Sequence, residues 1–224
     1  MEYKAIISGR LEYASQRSIE QAAKVMDHLM ETRYKGEAIF RSSDIFDFEQ
    51  CVLTLPRHIS QCPEKIWLNT VHLLRQVTQY AIAGDLNLFK ISMGRLSEHI
   101  LLEPKGHKTA VQAYQKGRKL LENPQQAEAA RQSLTRAIEK FPRHAKALER
   151  RGYAHYLLGQ LDAARQDYVD SLKVDDKRPE ADLGLAHLCM QEERWEKAIA
   201  HLGRLCARMR NGRADDRVSR LAVG

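Results

Sequence analysis

AKALERRGYAHYLLGQLDAARQDYVDSLKVDDKR, the stretch from Ala145 to Arg178, has the pattern of two antiparallel helices. Apolar and small residues recur at three- and four-residue spacing on both sides of a turn predicted at Leu158-Gly159-Gln160. Two antiparallel helices approach closely only where their side chains are small. Gly152 facing Ala164 therefore predicts a tight helical hairpin.

The same pattern recurs on both sides of this hairpin at nearly constant spacing. Ala186 stands 34 residues after Gly152, and Gly117 stands 35 residues before it. The extra residue predicts a longer turn around Asn123-Pro124. Pro142 falls where the second helix of the first unit must end, because proline cannot continue a helix.

A period of about 34 residues, small residues at the helix crossings and a helix-ending proline resemble the tetratricopeptide repeat family. Three units are visible, at 110–144, 145–178 and 179–212. Arg151 departs from the pattern, since the family has an apolar residue there, and Asp176 and Gly212 stand in place of the closing proline or its surroundings. The alternative is a set of generic helical hairpins from another all-helical fold.

The resemblance implies a right-handed superhelix of helix pairs, in which the first helices line a concave groove that binds peptides or other proteins. In the family, the residue after the small reference residue and the residue three before it point into this groove. Those positions, together with three flanking residues, are Tyr114, Arg118, Glu149, Arg150, Tyr153, Tyr156, Leu183, His187 and Met190. These nine residues are called the groove set below.

The chemistry of the groove set predicts the kind of partner. Some family members clamp the C-terminal carboxylate of heat-shock chaperones with lysine, asparagine and arginine at these positions, and only Arg118 fits that clamp here. A mixed aromatic and basic groove suits a protein or peptide segment that carries apolar anchors and negative charge. The alternative is that these residues are exposed on the helices without a ligand.

The first 103 residues predict strands and helices in the order β-α-β-β-α-β-β. Apolar and polar residues alternate from Tyr3 to Tyr13, which is typical of a strand, and Ser18 with Gln21 indicates a capping box at a helix start. The remaining predicted elements are strands at 37–41 and 46–55, the second ended by Pro56, a helix from Pro63 to Ala81, and a hairpin of 86–92 with 98–103.

These elements predict an α+β fold class. We expect a small N-terminal α+β domain at 1–103, with helices on one face of a mostly antiparallel sheet and a ferredoxin-like order in its first six elements. A polar linker at 104–109 then leads to the all-α, tetratricopeptide-like solenoid of three hairpins at 110–212. Residues 213–224 form a polar tail or a short capping segment.

Charge is unevenly distributed over the 224 residues. Residues 1–108 hold 14 Lys and Arg against 13 Asp and Glu, whereas residues 109–224 hold 22 against 16. The repeat half is therefore the basic half, which favours acidic partners. A nucleic acid bound by this half is the alternative function, although basic and acidic residues alternate along each helix in the manner of solvated helix faces.

Motifs for catalysis or cofactor binding are missing from the sequence. No phosphate-binding glycine loop, zinc-protease helix or nucleophile elbow occurs, and the nine histidines are dispersed. Cys51, His58 and Cys62 could approach one another, but a metal site needs more ligands than these. We therefore predict no enzyme activity, no cofactor and no metal.

The sequence predicts a cytoplasmic adaptor that binds a protein partner. No apolar run approaches the ~20 residues that span a bilayer, and the start Met-Glu-Tyr-Lys lacks the pattern of a signal peptide. Self-association through the N-terminal domain or the last repeat stays open, because Trp195, Ile199 and Leu202 leave an apolar surface if the tail does not cover them.

Overall fold

The computed structural model describes residues 2–105, 108–176 and 178–207 of the chain. The chain divides into two compact units, at 1–106 and 107–224. The first holds a five-stranded antiparallel sheet with helices, and the described residues of the second form helices and turns. The predicted α+β class is confirmed. Residues 208–224, which include the predicted tail at 213–224, lie outside the described residues.

The elements of the first unit follow the predicted order, with one short helix added. They are β1 (Glu2–Glu12), α1 (Gln16–Leu29) continued by a π-helical turn (Met30–Tyr34), α2 (Ser42–Ile45), β2 (Phe46–Asp47), β3 (Val52–Pro63), α3 (Glu64–Thr78), β4 (Ala83–Ser92) and β5 (Arg95–Leu102). Helix α1 begins earlier than predicted: Ser15, not Ser18, is the N-cap, and Ser15 and Ser18 cap each other reciprocally.

The strands of the sheet stand in the order β2-β3-β1-β4-β5, and all neighbours are antiparallel. The first four strands therefore interleave as two split β-α-β units, which is the ferredoxin-like order that was expected. The edge strand β5 is added by a two-residue turn at Met93-Gly94, where both residues have positive φ.

The core of the first unit lies between the sheet and helices α1 and α3. Alternate residues of β1, namely Ala5, Ile7 and Leu11, are fully buried, as period-two alternation requires. From α3, Trp67 is fully buried, and its indole N–H donates to the Glu98 carboxylate over 3.1 Å. One face of the sheet therefore contributes to a large apolar core.

Two predicted strand positions in the first unit are wrong. Residues 37–41 form no strand, because α3 satisfies their backbone instead: Thr70 accepts from the Ile39 N–H, and the Asn69 amide donates to the Glu37 carbonyl. Strand β3 also continues past Pro56, because it bulges there: Pro56 and Arg57 of β3 lie opposite the single residue Ser8 of β1. At a bulge the missing N–H of proline breaks no regular ladder bond.

The second unit consists of consecutive antiparallel helices. They are α4 (Thr109–Leu120), a 3-10 turn (Pro124–Gln126), α5 (Ala127–Lys140), α6 (Ala145–Leu157), α7 (Leu161–Val174), α8 (Pro179–Gln191) and a last helix, α9, described over 195–207. Helix α5 ends just before Pro142, as predicted, and Gly159 makes the predicted turn with a φ of +73°. The repeat boundaries at 144 and 178 stay a prediction.

Glycine sets the distance between paired helices of this unit. A Cβ on Gly152 would lie 3.0 Å from the Tyr168 ring and 3.2 Å from the Ala164 carbonyl oxygen of α7. A Cβ on Gly117 would lie 2.6 Å from Cγ of Leu134 on α5. The crossings therefore need glycine for space rather than for an unusual backbone conformation. Within the described residues, no helix is long and apolar enough to cross a membrane.

Candidate functional site

The groove set lies along the first helices of the three helix pairs. Tyr114 and Arg118 belong to α4, Leu183, His187 and Met190 to α8, and the other four residues to α6. Helix α6 contacts both α4 and α8, so the first helices stand next to each other in a row. The fold thus places these residues on adjacent helices, as the resemblance implies.

The members of the groove set differ in exposure. Tyr153, Leu183 and Met190 present exposed apolar surface, with relative exposures of 36%, 40% and 42%. Arg118 and His187 are also exposed, while Arg150 and Tyr156 are half-buried. The rings of Tyr153 and Tyr156 stack with their centroids 6.4 Å apart. This exposed part of the set offers aromatic and aliphatic contact area to a partner.

Tyr114 and Glu149 are buried instead of exposed. The Tyr114 ring packs against the His144 ring at a centroid distance of 4.6 Å, and the Arg118 guanidinium lies 5.9 Å from the centre of the Tyr114 ring. Tyr114 therefore supports the site from beneath rather than presenting its ring to solvent. Glu149 is 4% exposed and lies among charged residues.

Glu149 and four neighbouring charged or polar residues form a group that is called the polar cluster below. Its members are His144, Lys146, Glu149, Arg150 and Arg178. The Glu149 carboxylate lies 3.4 Å from Nε of Arg150 and 4.0 Å from Nη2 of Arg178. These contacts join the middle of α6 to the residue that precedes α8.

Three buried atoms of the polar cluster lack a hydrogen-bond partner. They are Nε2 of His144, Oε2 of Glu149 and Nε of Arg178. The two ion-pair distances to Glu149 do not contradict this, because charges can attract without the alignment that a hydrogen bond needs. Buried polar groups are nearly always paired in folded proteins, so these atoms mark a place where a further molecule can donate and accept.

Burial changes the pKa values of the polar cluster. Loss of solvation, with a further contribution from Arg178, lowers the pKa of Lys146 to about 7, and burial raises the pKa of Glu149 despite the cations beside it. Burial also lowers the pKa of His144 to about 3. The His144 ring is thus neutral: its Nδ1 accepts from the Ala147 N–H at the start of α6, and its Nε2 carries the hydrogen.

Arg151, the departure from the family pattern, has a structural role in this fold. Its guanidinium donates to both carboxylate oxygens of Asp167 on α7, over 2.8 and 2.6 Å, and lies 3.4 Å from Oγ1 of Thr135 on α5. His155 lies 3.7 Å from the same carboxylate. A bidentate ion pair, together with the contact to Thr135, therefore links three helices where an apolar contact was expected.

Sequence reasoning missed Lys146, Arg178 and Tyr168 as residues of the site. Lys146 stands three residues before Glu149, which places both on one helix face, and that spacing could have identified it. Arg178 precedes a helix and has no such signal. Tyr168 lies on a second helix, yet its ring lies so near α8 that a Cβ on Gly184 would stand 2.4 Å from Cζ of the ring.

Among the described residues, no three His, Cys, Asp or Glu side chains are grouped as metal ligands. Carboxylates of the second unit are engaged in ion pairs: Asp182 lies 3.2 Å from His201 and 3.4 Å from Arg204, and Asp167 binds Arg151. What the polar cluster can do chemically is bind polar groups of another molecule.

Comparison with known proteins identifies the repeat region. Residues 114–173 match the family model described as tetratricopeptide repeat, which confirms the resemblance seen in the sequence. The chain is also 38% identical over 81 residues to a mouse protein named FK506-binding protein-like, and 36% identical over 75 residues to the human protein of that name. These matches cover 36% and 34% of this chain but only 22% of each relative.

Solved structures with related helical regions have low overall similarity to the chain. The translocator chaperone SycD of Yersinia enterocolitica is 18% identical with a TM-score of 0.45, covering 51% of this chain and 86% of that one. The TPR2AB domain of yeast Sti1, solved in complex with pHSP90, is 18% identical with a TM-score of 0.44, covering 52% of this chain and 46% of that one.

Proposed function

We propose that the helical unit binds an extended segment of a protein partner across the polar cluster and the exposed part of the groove set, and that the chain acts as a non-catalytic adaptor. Tetratricopeptide repeats are generally interaction modules, and their presence at 114–173 supports this class of function. The single observation that carries the proposal is that two buried atoms, Oε2 of Glu149 and Nε of Arg178, make no hydrogen bond.

A peptide group matches the needs of these two atoms. Oε2 of Glu149 requires a donor and Nε of Arg178 requires an acceptor, and one amide supplies both an N–H and a C=O. A buried polar group left without a partner costs about 1–3 kcal/mol. A partner that satisfies both atoms therefore recovers free energy that the unbound protein lacks.

The exposed apolar residues around the cluster supply the remaining contacts. Tyr153 of α6 and Leu183 and Met190 of α8 expose between 36% and 42% of their surface, which is unusual for large apolar residues on neighbouring helices. Apolar side chains of a bound segment would cover them. The basic residues Lys146, Arg150 and Arg178 favour a segment that also carries negative charge.

Affinity capture with the full chain tests the proposal. We expect wild-type protein to retain a partner from lysate, the double variant Arg118→Glu/Tyr153→Ala to lose it, and the control Arg136→Glu, an exposed cation of α5, to keep it. Helicity and thermal midpoint of the double variant should stay near wild type. Peptides tiled over the captured protein should then bind wild type directly and bind Arg178→Gln at least about tenfold more weakly.

Nuclease treatment and raised salt separate this function from the nucleic-acid alternative. A captured protein that survives nuclease and fails to bind the double variant supports the adaptor. Nucleic acid that co-purifies and disappears with nuclease and salt would replace the proposal with binding of a phosphate backbone by the basic unit. A cytoplasmic site of action and self-association of the chain stay predictions.

The pH dependence of binding gives a second test. The pKa of Lys146 is lowered to about 7, so this side chain loses its charge as the pH rises from 6 to 8. Affinity for an acidic peptide should fall over this range by up to about tenfold, the factor that 1.4 kcal/mol represents. In Lys146→Arg the side chain keeps its charge, so affinity should be equal at both pH values. The charged neighbours Glu149, Arg150, Arg178 and Glu180 are the same in both proteins. An unchanged wild-type affinity would contradict a role for Lys146.

A further inference from the structure

The first unit has a cleft between α1 and α3. It has a volume of about 450 Å³, within the range of small-molecule sites. The lining residues are Lys24, Val25, His28, Leu29, Arg33, His72 and Gln76. Four of these seven carry basic groups and none is acidic. Val25 and Leu29 add an apolar wall.

Arg33 lines the cleft from the end of α1, where the winding of the helix changes. Met30–Tyr34 form a π-helical turn, and such turns are frequent at functional sites. Lys35 ends the turn in the left-handed conformation with a φ of +49°. Tyr34 of this turn is buried against α3, in contact with His72. Arg33 is exposed, and its guanidinium lies 5.7 Å from the centre of the Tyr34 ring.

Hydrogen bonds engage both ring nitrogens of His72. The Tyr34 hydroxyl lies 2.5 Å from Nδ1, and the Gln76 amide nitrogen lies 3.3 Å from Nε2. A neutral His72 ring therefore accepts from Gln76 at Nε2 and donates to the Tyr34 hydroxyl from Nδ1. Burial, Arg33 and Arg75 together lower the pKa of His72, which agrees with a neutral ring when the cleft is empty.

We propose that this cleft binds the phosphoryl group of a small molecule whose apolar or aromatic part lies against Val25 and Leu29. Arg33 and Lys24 supply positive charge, His28 supplies a ring N–H donor, and His72 adds a second donor once the bound anion has favoured its charged ring. A phosphoryl dianion has three terminal oxygens that can accept hydrogen bonds at once, whereas a carboxylate has two. The acids Asp27 of α1 and Glu31 of the π-helical turn do not line the cleft.

Titration of the full chain with phenyl phosphate tests the site, with inorganic phosphate, benzoate and phenol as separate arms. We expect the His72 ring resonances to shift with phenyl phosphate and the pKa of His72 to rise, because a bound anion favours the charged ring beside Arg33, Arg75, Lys24 and His28. Inorganic phosphate should bind more weakly, because it lacks the apolar contact. Benzoate should be at least about tenfold weaker and phenol should not bind.

Two matched variants decide whether the effect belongs to the cleft. Arg33→Gln should weaken phenyl phosphate at least about tenfold, whereas Arg17→Gln, an exposed cation near the start of the same helix, should change it less than twofold. Equal loss in both variants, or shifts spread over all basic residues, would show non-specific attraction and overturn the proposal. Benzoate as tight as phenyl phosphate would also overturn it. Neither result bears on the proposed binding of a protein segment at the polar cluster.

Discussion

The two units of this protein have interiors of different composition. The first buries large side chains completely, among them Trp67, Leu11 and Leu74, against strands that are distant in sequence. The second is built around alanine and glycine at helix crossings, with Asp167 and Asp182 buried in ion pairs. Volume loss should therefore dominate mutational effects in the first unit, whereas added volume and broken ion pairs should dominate in the second.

The largest effect is expected from Trp67→Ala in the first unit. This change leaves a cavity in the core and an unpaired Glu98 carboxylate, so we expect the unit to lose about 3–5 kcal/mol of unfolding free energy. Hydrogen exchange of peptides from each unit, followed in urea, measures it. Leu68→Ala, at an exposed neighbour in the same helix, should change stability by less than about 0.5 kcal/mol. Equal effects of both variants would contradict a core that depends on Trp67.

The reverse change, from small to large, should be most damaging in the second unit. Gly152→Leu forces α6 away from Tyr168 and Ala164, and we expect a loss of about 3 kcal/mol together with much of the helical signal of this unit. Circular dichroism during chemical unfolding measures both. The control is Gly203→Leu, since a Cβ on Gly203 meets nothing within 4 Å. A stable Gly152→Leu variant would mean that the helix crossing does not depend on glycine.

A buried ion pair between α6 and α7 should contribute to the stability of the second unit. Asp167→Ala removes the partner of a mostly buried Arg151 and should cost about 2 kcal/mol of unfolding free energy. Arg151→Met combined with Asp167→Leu should restore most of this loss, because no unpaired charge is then buried. A double-mutant cycle with urea unfolding measures the coupling, and additive effects would show that the pair does not act as a unit.

The last predicted effect is a pH dependence from His144, which is smaller per pH unit than the changes above. Its pKa is about 3 in the folded chain and near 6.5 when unfolded, so the unfolded state binds more protons between these values. Stability from this residue is therefore complete above pH 6.5 and is lost as the pH falls toward 3, by up to about 1.4 kcal/mol per pH unit. His144→Asn keeps a helix-capping acceptor but does not titrate, so its unfolding free energy should fall less steeply below pH 6.5. Parallel curves for both proteins would contradict this.

Much of the second unit was predictable from the sequence because its contacts are local. The spacing of Gly117, Gly152 and Ala186 predicts the crossings, and Pro142 and Gly159 mark the turns. For the site, the same periodicity selects a row of positions on the first helices. It does not show which of them are buried, so Tyr114 and Glu149 were expected to face a ligand directly, and Lys146 and Arg178 were missed.

Sequence by itself determined the α+β class, the repeat period and the basic character of the second unit, because each depends on residues close together in the chain. Tertiary structure alone decided that β3 passes Pro56, that Arg151 binds Asp167, and that Glu149 and Arg178 are buried together. Each of these depends on a contact between residues at least 16 positions apart in the chain. The burial of Glu149 and Arg178 also depends on the exclusion of solvent from both side chains. Burial changes pKa values and hydrogen bonding only after the chain has folded, so no pattern of residue types reveals it beforehand.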